Sequence, residues 1–170
     1  MREVTTWHLE MTSPDRLRPR DRPDPTPEVV AVHPVSPAFP ELNRFLYCTI
    51  GRDWHWDDRL VWSADEWRDY ADRPELQTAL LTLNGIPAGY YELERQAEGS
   101  FEIVYFGIVG AYAGRGLGGY LLTAAVRSAW ARGATRVWVH TCDLDQPYAL
   151  AHYRARGFEV FHTERREKDL

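Results

Sequence analysis

The segment with the clearest capacity for chemistry is a glycine-rich run, Gly114-Arg115-Gly116-Leu117-Gly118-Gly119. It follows a nearly continuous apolar stretch at residues 100–109, which predicts a central strand covered on both faces. A helical pattern begins inside the run and continues over residues 116–132. At such a strand-to-helix turn, backbone N–H groups and the positive end of the helix dipole can hold a phosphate group. The run therefore predicts a phosphate-binding turn.

Two familiar phosphate-binding motifs do not account for this run. Its letters match the dinucleotide fingerprint G-x-G-x-x-G, but that motif needs an acidic residue about 20 positions later, at the end of the next strand. Here the next strand ends in Val139, His140 and Thr141. A P-loop is excluded as well, because no Gly-Lys-Ser/Thr sequence follows the glycines.

A second pattern lies downstream and consists of Gln146, Ala149, Tyr153, Gly157 and Phe158. The two patterns together resemble motifs of the GNAT N-acetyltransferase superfamily. The segment from Ala113 to Gly118 matches the Gln/Arg-x-x-Gly-x-Gly/Ala loop of that family, except that Ala113 replaces the usual Gln or Arg. The downstream pattern matches Asn-x-x-Ala-x-x-x-Tyr-x-x-x-Gly-Phe, with Gln146 standing for Asn. The resemblance covers Val29 to the C-terminus.

The resemblance implies a GNAT-type fold, a cofactor and the residues that contact this cofactor. The cofactor would be acetyl-CoA, with its diphosphate on the glycine-rich turn and its pantetheine arm between two central parallel strands that splay apart. The positions that match the cofactor contacts of the family are Phe106, Gly107, Ile108, Ala113, Gly114, Arg115, Gly116, Leu117, Gly118, Gly119, Gln146 and Tyr153.

Direct acetyl transfer to an amine needs a base, a means of stabilising the tetrahedral oxyanion and an acid for the leaving thiolate. The resemblance gives Tyr153 the role of the acid. It gives Glu102 the role of the base, and a loop at residues 97–99 would place Glu94 opposite Glu102, where two close carboxylates would raise one pKa. Glu92, His140 and a water chain are the alternatives for the base.

The acceptor site is expected at the segment between the first two helices. Trp54, Trp56, Asp57 and Asp58 combine aromatic faces with carboxylates, and both favour a cation. The alternative is that the tryptophans pack the helix pair while the acids are solvated. The acceptor would be a small-molecule or peptide amine, and its identity is not encoded in these residues.

The elements that must position these residues follow from periodicity and turn signals. We predict strands over residues 4–9, 29–33, 76–83, 87–95, 100–109, 136–141 and 158–163, and helices over 37–50, 63–73, 116–132 and 147–156. Ser63-Ala64-Asp65-Glu66 reads as a capping box, and Asp143 and Asp145 as caps of the last helix. The expected fold is α/β, with one mixed twisted sheet of about six to seven strands flanked by about four helices. Residues 1–27 would form an N-terminal strand and a proline-rich arm, and residues 28–170 the GNAT domain.

Composition narrows the function further. The chain has 170 residues and a formal net charge of -5, which argues against nucleic acid or an anionic membrane as the partner. No segment is apolar enough to span a bilayer, and Arg2 and Glu3 open no secretory signal, so we expect a cytoplasmic protein. The near-exclusive use of arginine over lysine resembles a GC-rich bacterial composition. His8, His33, His152 and His162 lack metal-ligand spacing in the sequence, so no metal is expected.

The sequence therefore predicts an N-acetyltransferase that moves the acetyl group of acetyl-CoA directly to an amine. The alternative from another class is a non-catalytic acyl-CoA binding or sensing domain with the same fold. A homodimer is possible on this sequence.

Overall fold

The computed structural model describes residues 1–169, which form one seven-stranded sheet and four α-helices. The strands are β1 (Arg2–Met11), β2 (Val30–Pro34), β3 (Leu76–Leu83), β4 (Ile86–Arg95), β5 (Ser100–Ile108), β6 (Arg136–Cys142) and β7 (Glu159–Lys168). The helices are α1 (Pro40–Gly51), α2 (Ala64–Ala71), α3 (Leu117–Ala131) and α4 (Ala149–Ala155). The α/β architecture with a mixed sheet is confirmed.

The sheet has the strand order β2-β3-β4-β5-β6-β1-β7. Every neighbouring pair is antiparallel except β5 and β6, which are parallel. The main core lies between the sheet and α3, where Leu121, Leu122 and Val126 are fully buried. A smaller cluster on the opposite face joins α1 to β4 through Leu46, Ile50 and Tyr90.

Local sequence explains how the helices begin and end. The predicted capping box is confirmed: Ser63 Oγ accepts a hydrogen bond from the Glu66 N–H, and the Glu66 carboxylate accepts one from the Ser63 N–H. Helix α3 follows Gly116, which is left-handed with φ 70°, and the chain leaves the helix at Gly133 with φ 93°. Helix α4 is shorter than predicted, and its N-cap residue Tyr148 makes no side-chain cap.

The two terminal strands are longer than their hydrophobic patterns indicate. Strand β7 was predicted to end at Thr163 but extends to Lys168. Strand β1 pairs with β6 on one side and with β7 on the other, from Arg2 opposite Lys168 to Glu10 opposite Glu159. Main-chain pairing with β1 therefore extends β7 through a polar stretch that has no apolar alternation.

The proline-rich arm crosses the molecule after β1 and is fixed by main-chain hydrogen bonds. The Arg18 N–H donates to the carbonyl of Arg156, and the Asp24 N–H donates to the carbonyl of Arg115. These contacts place the arm beside the C-terminal end of α4 and beside the glycine-rich turn that precedes α3. Among residues 1–169, none of the helices combines the length and the apolar character that crossing a bilayer requires.

Candidate active site

The central parallel pair of strands opens into a V. Strands β5 and β6 pair only from Ser100 opposite Arg136 to Glu102 opposite Trp138. A register shift between Glu92 and Leu93 places an extra residue, Val104, in β5 just beyond this point. Such a bulge bends a strand and is common beside active sites. The main-chain groups of β5 that face β6 beyond Glu102 therefore have no strand partner among the described residues.

A cavity of about 850 Å³ fills the V and reaches both faces of the sheet. One end is lined by the glycine-rich turn and the start of α3. The other end is lined by residues of the segment between α1 and α2, together with His140 and Lys168. Of the predicted cofactor contacts, the cavity lining includes Phe106, Gly107, Ile108, Ala113, Gly114, Gly116, Leu117, Gly118, Gly119, Gln146 and Tyr153.

The remaining predicted cofactor contact, Arg115, lies outside this lining. Its guanidinium Nη1 is 3.5 Å from Glu28 Oε1, and its Cζ lies 5.6 Å from the centre of the Tyr112 ring. The side chain thus fastens the turn to the arm that precedes β2.

One end of the cavity is lined by the glycine-rich turn, and we call it the phosphate end. Two arginines that the sequence analysis did not single out lie there. A Cβ atom placed on Gly119 would be 2.9 Å from Arg20 Cδ and 3.7 Å from Arg156 Nη1, so both side chains border the start of α3. Arg20 comes from the arm and Arg156 from the end of α4, and both line the cavity. Arg156 Nε is buried and has no hydrogen-bond partner among the described residues.

The charges at this end favour an anion. Burial lowers the pKa of Arg156, and the positive charge of Arg20 lowers it further, so an anion between the two side chains would relieve their repulsion. Arg20 also forms an ion pair with Asp24, and the Arg20 N–H donates to Thr123 Oγ1 in α3 at 2.9 Å. Two guanidinium groups beside a helix N-terminus form a suitable phosphate site.

Gly107 is required by close packing in the middle of the cavity. A Cβ atom on this residue would lie 2.6 Å from Ile50 Cγ2 and 3.3 Å from Trp56 Cη2. The absent side chain lets α1 and the Trp56 indole approach β5 directly.

Tyr153 lies in the wall of the cavity on α4 and is 6% exposed. Its ring packs edge-on against Phe106 and Phe158. Burial raises the pKa of Tyr153, and the negative charge of Asp145 adds to the increase. The phenol is therefore protonated at neutral pH, as a proton donor must be.

Asp145 was predicted to cap the last helix, and that prediction is wrong. Its Oδ2 accepts hydrogen bonds from Thr141 Oγ1 at 2.7 Å and from the Cys142 N–H, and its Oδ1 accepts one from Trp56 Nε1 at 3.2 Å. The other predicted cap, Asp143, instead lies 3.3 Å from the Thr5 N–H. Asp145 thus ties the end of β6 to the segment between α1 and α2.

Glu102 lies opposite Glu94 across β4 and β5, as the predicted loop required. Its carboxylate accepts a hydrogen bond from Gln96 Nε2 at 2.8 Å, and burial raises its pKa, with the Glu94 charge contributing in the same direction. Glu102 does not line the cavity itself. It lies behind His140, which does, with 3.8 Å between His140 Nε2 and Glu102 Oε1.

The other carboxylates and His140 differ in their surroundings. Burial acts to raise the pKa of Glu94, but hydrogen bonds from Gln96 and Arg73 outweigh it and lower the pKa overall. Partial burial lowers the pKa of His140, and the nearby His8 adds to this, so its imidazole is neutral at pH 7. A neutral imidazole at the cavity wall can accept a proton.

Glu92 is fully buried in a polar network. Its carboxylate accepts hydrogen bonds from Arg59 Nη1 at 2.9 Å and from Asn43 Nδ2 at 3.0 Å. Arg59 is itself enclosed by aromatic rings, with its Cζ 4.0 Å from the centre of Tyr70 and 4.7 Å from that of Trp62. These contacts hold Glu92 as the partner of Arg59 and away from the cavity.

The predicted acceptor residues divide into two groups. Trp54, Trp56 and Asp58 line the cavity, whereas Asp57 faces solvent with its Oδ1 3.4 Å from Lys168 Nζ. The Trp56 ring packs against Tyr105 with 4.7 Å between the ring centres. Trp56 therefore combines the two predicted roles of this segment. It packs against the helix pair, and it also lines the cavity.

The splayed parallel strands, the glycine-rich turn and the through-going cavity define a GNAT-type α/β protein. The family model described as "Acetyltransferase (GNAT) family" matches residues 44–158. The chain therefore belongs to the GNAT acetyltransferase family. No curated protein sequence matches it.

Solved structures share the fold. A GCN5-related N-acetyltransferase from Kribbella flavida aligns with a TM-score of 0.66 and 21% identity over 94% of this chain and 55% of its own. One from Sphaerobacter thermophilus aligns with a TM-score of 0.66 and 20% identity over 94% of this chain and 49% of its own. The chain thus spans about half the length of these two proteins.

A shorter protein aligns over nearly its whole length. It is an aminoglycoside N-acetyltransferase in complex with CoA, with a TM-score of 0.59 and 16% identity over 86% of this chain and 97% of its own. At these identities the structural likeness establishes the fold and leaves the substrate to be argued from the site.

Proposed function

We propose that this chain is an acetyl-CoA-dependent N-acyltransferase that moves the acetyl group directly to an amine, without an acyl-enzyme intermediate. The observation that carries the proposal is the cavity that joins the glycine-rich turn on one face of the sheet to an aromatic opening beside Asp58 on the other. A two-ended cavity can accept two reactants from opposite sides and bring them together at the point where β5 and β6 separate.

The phosphate end would hold the cofactor diphosphate. Backbone N–H groups at Gly116 to Gly119 provide donors at the start of α3, and Arg20 and Arg156 provide two positive charges. The two arginines offset the absence of the usual Gln or Arg at Ala113. The unpaired edge of β5 beyond Glu102 would pair with the amide groups of the pantetheine arm.

The opposite end would hold the acceptor. Trp54 and Trp56 offer aromatic faces, and Asp58 offers a carboxylate. The two cations at this end are paired, Lys168 with Asp57 and Arg59 with Glu92, so the opening suits a cationic amine. A small molecule or a peptide amine would reach the centre of the cavity from this side. Aminoglycosides are one class of amine to test, because the structural neighbour in complex with CoA acts on them.

The chemical steps balance with residues of this chain. The ammonium group of the acceptor loses one proton to His140, with Glu102 behind it as the final proton acceptor. The neutral amine then attacks the thioester carbonyl, a C–N bond forms, and the C–S bond breaks as the tetrahedral intermediate collapses. Tyr153 donates its phenolic proton to the leaving thiolate and regains a proton from the acetylated amine through solvent.

The competing function is a non-catalytic acyl-CoA sensor, which would keep the phosphate end and lose the acceptor chemistry. Titration calorimetry with acetyl-CoA, run beside NADH, tests the cofactor assignment first. Saturable binding of acetyl-CoA alone supports the proposal, and binding of NADH alone would overturn it. Thiol release then separates the two functions, because a sensor binds acetyl-CoA but releases no CoA in the presence of any amine.

A further inference from the structure

Two histidines and a glutamate that are distant in sequence meet on the open face of the sheet beside the last strand. His8 on β1 lies directly opposite His162 on β7 in the antiparallel register. Glu164 lies two residues further along β7, and side chains at this spacing share one face of a strand. One ligand atom from each of the three residues lies within 4.8 Å of the other two.

The donor types match a particular class of metal ion. Two imidazole nitrogens and one carboxylate oxygen are the ligand set that Zn²⁺ takes where one coordination position stays open. Tetrahedral coordination with bonds of about 2.0–2.2 Å places neighbouring ligand atoms about 3.3 Å apart. His8 Nε2 and Glu164 Oε1 are 2.9 Å apart, and the ligand atom of the exposed His162 lies within 4.8 Å of both, so the His162 ring must move closer to complete the set.

The neighbouring residues hold these ligands in place. Arg166 Nη2 contacts Glu164 Oε2 at 2.7 Å, which leaves Oε1 directed at His8. His8 also packs between His140 on β6 and His162 on β7, with ring centres 5.6 Å and 5.3 Å away. Outer contacts of this kind orient metal ligands and fix their rings. The side chains of His8 and Glu164 are 19% and 27% exposed, so the site is recessed yet open to solvent.

We propose that His8, His162 and Glu164 form a binding site for a divalent transition-metal ion of the Zn²⁺ class, which links the first strand to the last. The site lies outside the residues that line the cavity, and the proposal does not rest on acetyl transfer. Binding uses the neutral imidazole of His8 with its ring proton on Nδ1, so that the Nε2 lone pair faces the metal ion.

The test is calorimetric titration of untagged, chelator-treated protein with Zn²⁺. We expect one saturable site per chain, because a single chain supplies all three ligands. Co²⁺ in place of Zn²⁺ should give visible absorption of the intensity typical of four-coordinate sites. Absence of saturable Zn²⁺ binding would overturn the proposal.

Variants identify the ligands. His162→Ala and Glu164→Gln should each weaken Zn²⁺ binding by about tenfold or more. His162 is exposed and Gln preserves the shape of Glu164, so both variants should fold, which circular dichroism checks. His33→Ala is the matched control, because His33 lies on β2 at the opposite edge of the sheet and contacts Thr82. Unchanged affinity in the two ligand variants, or an equal loss in the control, would show that the metal binds elsewhere.

Discussion

Arg20 offers the sharpest prediction, because it comes from the arm that precedes the matched family segment. Arg20→Ala should weaken acetyl-CoA binding and leave kcat nearly unchanged, since the side chain would contact the phosphates and not the reacting carbonyl. The fold of the arm should survive, because its anchor at this point is the Arg20 main-chain N–H on Thr123 Oγ1.

The size of the effect follows from the exposure of the side chain. A hydrogen bond to a charged group contributes about 1.5–3 kcal/mol. Arg20 is 40% exposed, so solvent screening reduces its contribution to about 1–2 kcal/mol. This range corresponds to an increase of about 5- to 30-fold in the Kd of acetyl-CoA. The increase should shrink at high ionic strength, because salt screens exposed charges.

Two neighbouring residues give control variants for the Kd of acetyl-CoA. One should leave this Kd unchanged, and the other should lower it. Arg16→Ala is the matched control, because its side chain is 66% exposed and lies outside the cavity lining, 3.9 Å from Glu159. Asp24→Asn should tighten binding, since it frees Arg20 from an ion pair and removes a negative charge beside Gly116. Calorimetry and KM measurements read out all three variants. A Kd for Arg20→Ala within about twofold of wild type, or an equal loss in Arg16→Ala, would refute the assignment.

Three further predictions concern the catalytic groups and the buried ion pair. Tyr153→Phe should lower kcat and keep the Kd of acetyl-CoA within a few-fold, as steady-state kinetics and calorimetry would show; unchanged turnover would remove Tyr153 from the mechanism. His140 takes the proton first, so kcat/KM should rise with pH through the lowered pKa of His140. Glu102→Gln should lower kcat/KM and move this limb to lower pH, because loss of the neighbouring carboxylate charge lowers the pKa of His140 further. A Gln variant with unchanged kcat/KM and an unchanged limb would exclude Glu102. Glu92→Ala should lower the free energy of unfolding by about 3–5 kcal/mol in urea titrations, because it leaves Arg59 buried without a partner. The exposed Glu167→Ala is its control, and an equal loss there would contradict this account.

Much of the fold could be predicted because its signals are local. The Asn84-Gly85 dipeptide between the predicted strands at 76–83 and 87–95 is typical of a hairpin turn, and the sequence at Ser63 is typical of a capping box. Each specifies an element within a few residues, and both elements formed where expected. The pairing of Glu94 with Glu102 followed from the length of a single loop. Local turn chemistry and periodicity therefore define most of the sheet and helices.

The phosphate end shows why part of the site could not be predicted. Arg20 lies in a proline-rich segment with no periodicity, and its contact with Thr123 spans 103 positions of sequence. Asp145 has the residue type and position of a helix cap, yet its bond to Trp56 spans 89 positions. Such contacts depend on the path of the chain between elements, which no local pattern encodes.

The position of β1 in the sheet also could not be predicted from the sequence. Its alternation predicted a strand, but nothing in that pattern indicated that it would lie between β6 and β7. That placement brings His8 opposite His162, and Glu164 is 156 positions from His8. The absence of metal-ligand spacing in the sequence therefore gave no information about this cluster.

Direct acetyl transfer to an amine can be measured with the purified chain by following both of its products. The purified chain would be incubated with acetyl-CoA and a panel of polyamines, aminoglycosides, amino acids and peptides, with free thiol and acetylated products quantified together. We expect CoA release that depends on an amine and matches the amount of acetylated amine formed. Saturable acetyl-CoA binding without thiol release from any amine would contradict it and favour the sensor.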